Sequence, residues 1–381
     1  MRKTAKVSAT PLKVMTIVGT RPEIIRLSRV IARLERHTRH VLVHTGQNYD
    51  YELNQVFFED LALASPAYFL ECGGGSLGQT MGRILERIEP VLASERPDAV
   101  LILGDTNSSV AGIMAKRMKI PLFHMEAGNR CFDFNVPEEI NRRMIDHIAD
   151  VNIAYSENAR RYLLEEGLPE DRVFVSGSPL AEVLAHYRDR IGQSTILKEL
   201  RLGRGRYFLA SVHREENVDY PRRLDVILSA LNDLAAEYGE PIVVSTHPRT
   251  RKRLEAGELR LNPLIRLCRP FRFTDYVSLQ AGARCVLSDS GTISEESAIL
   301  GFPAVTVRDS IERPEALDAG SIIVTGVERE SIRRCVRVAI ETFSHQCPDD
   351  YRITNTSDRV LRILLGYVRY VNQRVWRKET F

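Results

Sequence analysis

The chain has 381 residues, 44% of them hydrophobic and 27% charged, with a formal net charge of +3. That length exceeds one ordinary domain and leaves apolar material for two cores. The interspersed acids and bases give no global attraction to nucleic acid or to a membrane surface. No apolar run is long enough to span a bilayer, and the basic leader MRKTAKVSATPLK lacks the apolar core of a secretory signal. Residues 1–12 are therefore expected to form a flexible extension. The six cysteines, at 72, 131, 268, 285, 335 and 347, show no CxxC spacing, as expected of reduced thiols in a cytoplasmic protein. The nine histidines show no HExxH or comparable ligand spacing, so neither a metal nor another cofactor is expected.

From Val14 the sequence alternates short β-branched or apolar runs with amphipathic helical patterns. The runs are VMTIV, VLVHT, AYFLE, AVLIL, PLFHM, VNIAY and VFVSG. Strands separated by helices predict a parallel sheet covered on both faces, spanning residues 13–185. The polar, Arg-rich stretch at 186–206 breaks this rhythm and reads as an interdomain segment. It restarts with YFLAS, PIVVS, LIRLC, RCVLS, PAVTV and SIIVT, giving a second doubly wound domain over 207–356. An amphipathic helix over 357–381 is long enough to cross back to the first domain.

Two such sheets place a cleft between their carboxyl edges, where open α/β sheets hold ligands. Polar residues collect at those strand ends: Arg21 and Arg26, Asp105, Glu126, and Glu138 in the first half. The second half adds His213, then His247 and Arg249, and finally Arg313. The strand–turn–helix pattern ARCVLSDSGTISEESAIL is the best phosphate turn in the chain. Gly291 permits close backbone approach, Ser290 and Thr292 offer hydroxyls, and a following acid suits ribose hydroxyls. Each has a plainer reading: Asp105 as a helix cap, Glu126 as a partner of Arg130, Glu138 as a first-turn acid, His213 as a satisfied strand-end histidine. The stretch Gly73-Gly74-Gly75-Ser76-Leu77-Gly78 satisfies a dinucleotide fingerprint but falls in the third βα unit rather than the first.

GTRPE, GDTNS, HMEAGNR followed by PEEINR, SVHREEN, STHPR, SDSGTISEES and RDSIERPEA, in this order over residues 14–316, resemble the non-hydrolysing UDP-N-acetylglucosamine 2-epimerases. The resemblance implies two Rossmann-like domains of the glycosyltransferase-B type, a UDP-sugar in the cleft, no metal, and a homodimer. It implies that Asp105, Glu126 and Glu138 are the acid and base groups and that His213 lies close to the diphosphate. Arg21, Arg26 and Arg313 would contact substrate, with Ser290, Gly291 and Thr292 as the phosphate turn and Glu296 on the ribose. The implied reaction inverts C2 through elimination of UDP to a 2-acetamidoglycal and its re-addition. The C2 proton is too weakly acidic for abstraction unaided by loss of the anomeric group.

Three departures from the family pattern stand out. Ser290-Gly291-Thr292 replaces Ser-Gly-Gly, EAGNRCFD replaces the commoner EAGLRT, and HTGQNYDYE replaces the usual stretch after the second strand. These variants are similar to the branch that converts UDP-2-acetamido-2,6-dideoxy-L-talose to UDP-N-acetyl-L-fucosamine, with Phe132 and Phe134 as apolar neighbours for C6. UDP-N-acetylglucosamine is the family default. A glycosyltransferase of the same architecture, a silent nucleotide-sugar sensor and a dehydrogenase are the rival readings. The three first-half acids argue against the first two, and the position of the glycine stretch argues against the third.

Overall fold

The structure is a computed structural model that describes residues 11–47, 58, 60–246 and 260–378. The first sheet has seven parallel strands, β1 (Lys13–Val18), β2 (Arg39–His44), β3 (Tyr68–Phe69), β4 (Ala99–Leu103), β5 (Leu122–Ala127), β6 (Val151–Ala154) and β7 (Val173–Val175). The second has six, β8 (Phe208–Ser211), β9 (Ile242–Ser245), β10 (Ile265–Cys268), β11 (Cys285–Ser288), β12 (Ala304–Thr306) and β13 (Ile323–Val324). Every strand expected from the apolar runs is present. β-Branched side chains suit a pleated surface, and continuous rather than alternating runs suit strands covered on both faces. Val14 to Val18 and Ala99 to Leu103 are buried throughout.

The strand orders are β3-β2-β1-β4-β5-β6-β7 and β10-β9-β8-β11-β12-β13. In each, the direction of winding reverses beside the first strand, between β1 and β4 and between β8 and β11. Such a reversal opens a crevice at the carboxyl ends. These are two Rossmann-like domains with a central cleft.

One face of the first sheet, including Val14, Leu101, Phe123 and Ile153, packs against Ile24, Leu27 and Ile31 of the helix Arg21–His37. Phe273 and Val277 from the second half join this core. So do Val360, Leu361, Leu364, Val368 and Val371 of the final helical segment, which begins with the helix Thr356–Tyr370. Each such side chain contributes about 1.5–3 kcal/mol when fully buried. In the chain between β7 and β8 come the helices Pro179–His186, Arg188–Gly192 and Ile196–Glu199. Tyr187 belongs to the first core and Ile196 to the second, so this connection is held at both ends. The glycine stretch forms a helix cap. Ser76 and Gln79 make reciprocal capping bonds at the start of the helix Leu77–Glu95, and Arg83 donates to the carbonyls of Gly73 and Gly74. No described helix is long and apolar enough to cross a membrane.

Candidate active site

The carboxyl end of β5 is irregular. Its register against β6 shifts between Met125 and Ala127, and Glu126, in the gap, adopts φ +63°. A bulge re-aims a side chain, and left-handed backbone at a non-glycine residue costs about 1–2 kcal/mol. Glu126 is buried, and its carboxylate is held on both oxygens. Arg26 Nη1 donates to Oε2, and Arg313 Nη2 donates to Oε1 at 2.7 Å. The same guanidiniums bind Glu295, through Arg26 Nη2 at 3.3 Å and through Arg313 Nε, and Ser178 Oγ donates to the other Glu295 oxygen. Two arginines and two glutamates thus alternate in a closed, buried ring, one of each from either half of the chain. Burial alone would raise the Glu126 pKa, but Arg26 and Arg313 outweigh it and hold the carboxyl below its ordinary range. The plainer partner, Arg130, pairs instead with Asp146 at 2.7 Å and Glu166 at 2.6 Å.

Asp105 follows β4 through Gly104. Arg142 Nη2 donates to its carboxylate, and Asn141 Nδ2 donates to its carbonyl at 3.0 Å. Both partners come from the helix Pro137–Ile148, so that helix positions the turn. His124 fixes the turn from beneath, 2.9 Å from the Gly104 carbonyl and 2.8 Å from Asp146. Glu138 lies in the first turn of the same helix. Burial raises its pKa; Arg214 of the second half opposes the rise, and Asp105 and Glu216 add to it. The first-half acids therefore occupy two settings. Glu126 is clamped ionised, while Glu138 is pushed toward the proton-bearing form, a separation that acid–base pairs require.

In the second half, His213 follows β8 and is half exposed, with Nδ1 2.8 Å from the buried carboxylate of Asp289. Ser290 Oγ and Thr292 Oγ1 lie 2.9 Å apart, and Arg313 Nη1 donates to the Gly291 carbonyl at 2.7 Å. A Cβ on Gly291 would stand 2.9 Å from Arg313 Nη1 and 3.3 Å from Glu312 Oε2, so a side chain there would have to displace the Arg313 guanidinium or the turn. Thr292 makes no side-chain cap on the helix Ile293–Leu300. Glu296 accepts from the buried Gln280 at 2.5 Å, and burial raises its pKa. Arg308 grips Glu312 with two bonds of 2.7 and 2.9 Å, and Arg214 adds a third at 3.3 Å.

Among the expected residues, Glu126, Arg26 and Arg313 touch one another, and Arg313 ties them to the Ser290-Gly291-Thr292 turn. Asp105 and Glu138 are neighbours, with Arg214 in electrostatic reach across the cleft. Arg21 opens its helix at the surface, within electrostatic reach of Tyr276 of the second half. Phe132 and Phe134 are exposed and pack over Arg143, their centroids 6.0 and 5.3 Å from its guanidinium carbon. His247 and Arg249 lie outside the described residues, and HTGQNYDYE is described only as far as Gln47. Four positions visible in the sequence carried no assigned role there: Glu295, Asp289, Arg142 and Arg214. Glu295 adjoins Glu296 in the same first turn, and only the folded chain shows that Glu295 meets Arg26 and Arg313 while Glu296 meets Gln280. Among the described residues no group of three or more His, Cys, Asp or Glu could hold a metal ion.

Paired doubly wound sheets, charged where their carboxyl edges face one another, define a two-domain α/β enzyme that works on a ligand held between its halves. The sequence profile of the UDP-N-acetylglucosamine 2-epimerase family matches residues 32–365. The structure of UDP-N-acetylglucosamine 2-epimerase from Rickettsia bellii is 49% identical and superposes with a TM-score of 0.90 over 97% of this chain and 100% of that one. A Methanocaldococcus jannaschii UDP-GlcNAc 2-epimerase in complex with UDP-GlcNAc and UDP is 35% identical, with a TM-score of 0.88 over 93% of this chain and 100% of its own. Another structure of the enzyme from that organism, 34% identical with the same coverage, gives 0.73. The chain belongs to the UDP-N-acetylglucosamine 2-epimerase family, in its non-hydrolysing group.

Proposed function

We propose that this protein interconverts UDP-N-acetylglucosamine and UDP-N-acetylmannosamine by eliminating UDP and adding it back. The observation that carries this reading is the set of first-half acids in contrasting electrostatic settings, facing the cations and phosphate turn of the second half. A carboxylate removes the C2 proton while the C1–O bond breaks. Its electron pair leaves with UDP, and C1 and C2 become doubly bonded. On return, a β-phosphate oxygen adds to C1, and a carboxylic acid delivers a proton to the opposite face of C2. Asp105, Glu126 and Glu138 are the groups for these transfers. His213, Arg21, Arg26 and Arg313 hold the diphosphate, Ser290, Gly291 and Thr292 form its turn, and Glu296 takes the ribose. Arg26 and Arg313 each carry five N–H donors, enough to meet a phosphate without releasing Glu126 entirely.

The architecture supports assignment to the glycosyltransferase-B type, with units at 13–185 and 207–356, a joining segment at 186–206 and a returning helix from 357. The protein works in the cytoplasm as a homodimer. The exposed Leu77 and Ile140 on first-half helices supply apolar surface for the pairing.

Proton NMR in deuterium oxide tests the reaction and the sugar together. UDP-N-acetylglucosamine and UDP-2-acetamido-2,6-dideoxy-L-talose are supplied separately. Loss of the C2 proton signal with appearance of the C2 epimer in the first tube is expected. Turnover confined to the second tube would move the assignment to the deoxy-sugar. UDP bound without exchange in either would overturn epimerisation.

A further inference from the structure

β8 and β11 are neighbours, with Ser211 in register with Ser288. Two residues past β8 stands His213, and one past β11 stands Asp289, which is 0% exposed. Asp289 ties the two strand ends together. Its backbone N–H donates to the Ser211 carbonyl at 3.2 Å. Its carboxylate accepts from the backbone N–H of His213 at 3.0 and 3.1 Å, from that of Arg214 at 3.0 Å and from Asn217 Nδ2 at 3.1 Å. His213 Nδ1 completes the set at 2.8 Å.

Every other partner of this carboxylate is a donor, so Nδ1 also meets it as a donor and carries a hydrogen. Three of the contacts hold the main chain and Asn217, and only the fourth holds the imidazole. A purely structural acid would not need that fourth contact, because a half-exposed histidine can be solvated. With Nδ1 turned inward, Nε2 is the nitrogen on the exposed side of the ring. The phosphate turn begins at the very next residue, Ser290.

We propose that Asp289 is a positioning residue, which by accepting the Nδ1 hydrogen of His213 fixes the ring's rotation and presents Nε2 to the departing diphosphate of the nucleotide sugar. The proposal rests on the reading of His213 as a group that serves that diphosphate. Asp289 itself does not touch substrate.

The test uses the full chain labelled with ¹⁵N-histidine and compares wild type with Asp289→Asn, Asp289→Glu, His213→Asn and the double variant Asp289→Asn/His213→Asn. Long-range ¹H–¹⁵N correlation spectra report the ring nitrogens of His213, assigned by their loss in His213→Asn. Turnover of UDP-N-acetylglucosamine gives kcat and KM. In Asp289→Asn, kcat is expected to fall on the order of a hundredfold, with KM changed less than about threefold. The His213 resonances should move, and the double variant should be no slower than His213→Asn alone. Asp289→Glu, which keeps the acceptor but displaces it, should recover part of kcat and serves if Asp289→Asn does not fold. Unmoved His213 resonances, or losses that multiply in the double variant, would overturn the positioning role while leaving His213 in place. Normal turnover in His213→Asn would instead overturn the reading of His213, and this inference with it.

Discussion

At Glu126 a backbone cost meets an ionic gain. The left-handed conformation is tolerated because both carboxylate oxygens are gripped, and the grip also keeps a buried acid ionised. Glu126→Gln preserves the shape and removes the charge. It leaves Arg26 and Arg313 with Glu295 as their remaining anion in the ring. C2-proton exchange followed by NMR should slow by at least about a hundredfold. Urea denaturation should show a stability loss of roughly 3 kcal/mol, the usual effect of breaking a buried pair from one side. Near-normal exchange would remove Glu126 from the acid–base groups. Asp289 yields a second expectation at this scale. Burial works against its charge, but His213, Arg214 and Asn217 bring the carboxyl pKa down to about 2 from an ordinary 3.8. A depressed carboxyl stabilises the fold above its unfolded value and loses that contribution as pH falls through the folded one. About 2 kcal/mol should therefore disappear between pH 4 and pH 2 in urea melts. Asp289→Asn should flatten that part of the profile.

The element that most needs its particular sequence is the turn from β11 into the helix Ile293–Leu300. Gly291 is enclosed by Arg313, Glu312 and Arg214, so Gly291→Ala must displace the Arg313 guanidinium or the turn itself. Calorimetric titration with UDP should show affinity reduced about tenfold or more. Unchanged affinity would place the nucleotide elsewhere. This element also shows what the sequence could and could not convey. The strand, the small-residue turn and the helix start were legible because each follows from local chemistry: a β-branched run, a glycine, two first-turn acids. The division of labour between Glu295 and Glu296 was not. It depends on Arg26, which lies 269 residues away and is brought to Glu295 only by folding. The same holds for Arg142 beside Asp105 and for Asp289 beside His213: each residue type was visible, but each pairing spans separate elements. All thirteen described strands were legible for the opposite reason, since each is a short contiguous apolar or β-branched run, and in the central ones burial on both faces leaves no alternation.

For the whole molecule, the ring of Arg26, Glu126, Arg313 and Glu295 joins the halves through the floor of the cleft. A ligand held between two domains enters and leaves only if they part. In solution the free protein should open, and small-angle scattering should show a smaller radius of gyration when UDP is added to saturation. A profile unchanged by UDP would argue that the ring keeps the cleft shut without ligand.

The last helical segment has a consequence for how the protein is made. Its residues 360–371 complete a core whose first members, Val14 and Val18, leave the ribosome some 340 residues earlier. At about 5–20 residues per second, that interval lasts roughly 20–70 s. During that time the helix Arg21–His37 lacks the apolar cover that Thr356–Tyr370 gives it, while the second half is synthesised through to its own last strand. The amino-terminal half therefore finishes folding after the carboxyl-terminal half, in reverse of the order of translation. Its exposure to chaperones and to self-association is set by elongation rate rather than by the stability of the finished fold.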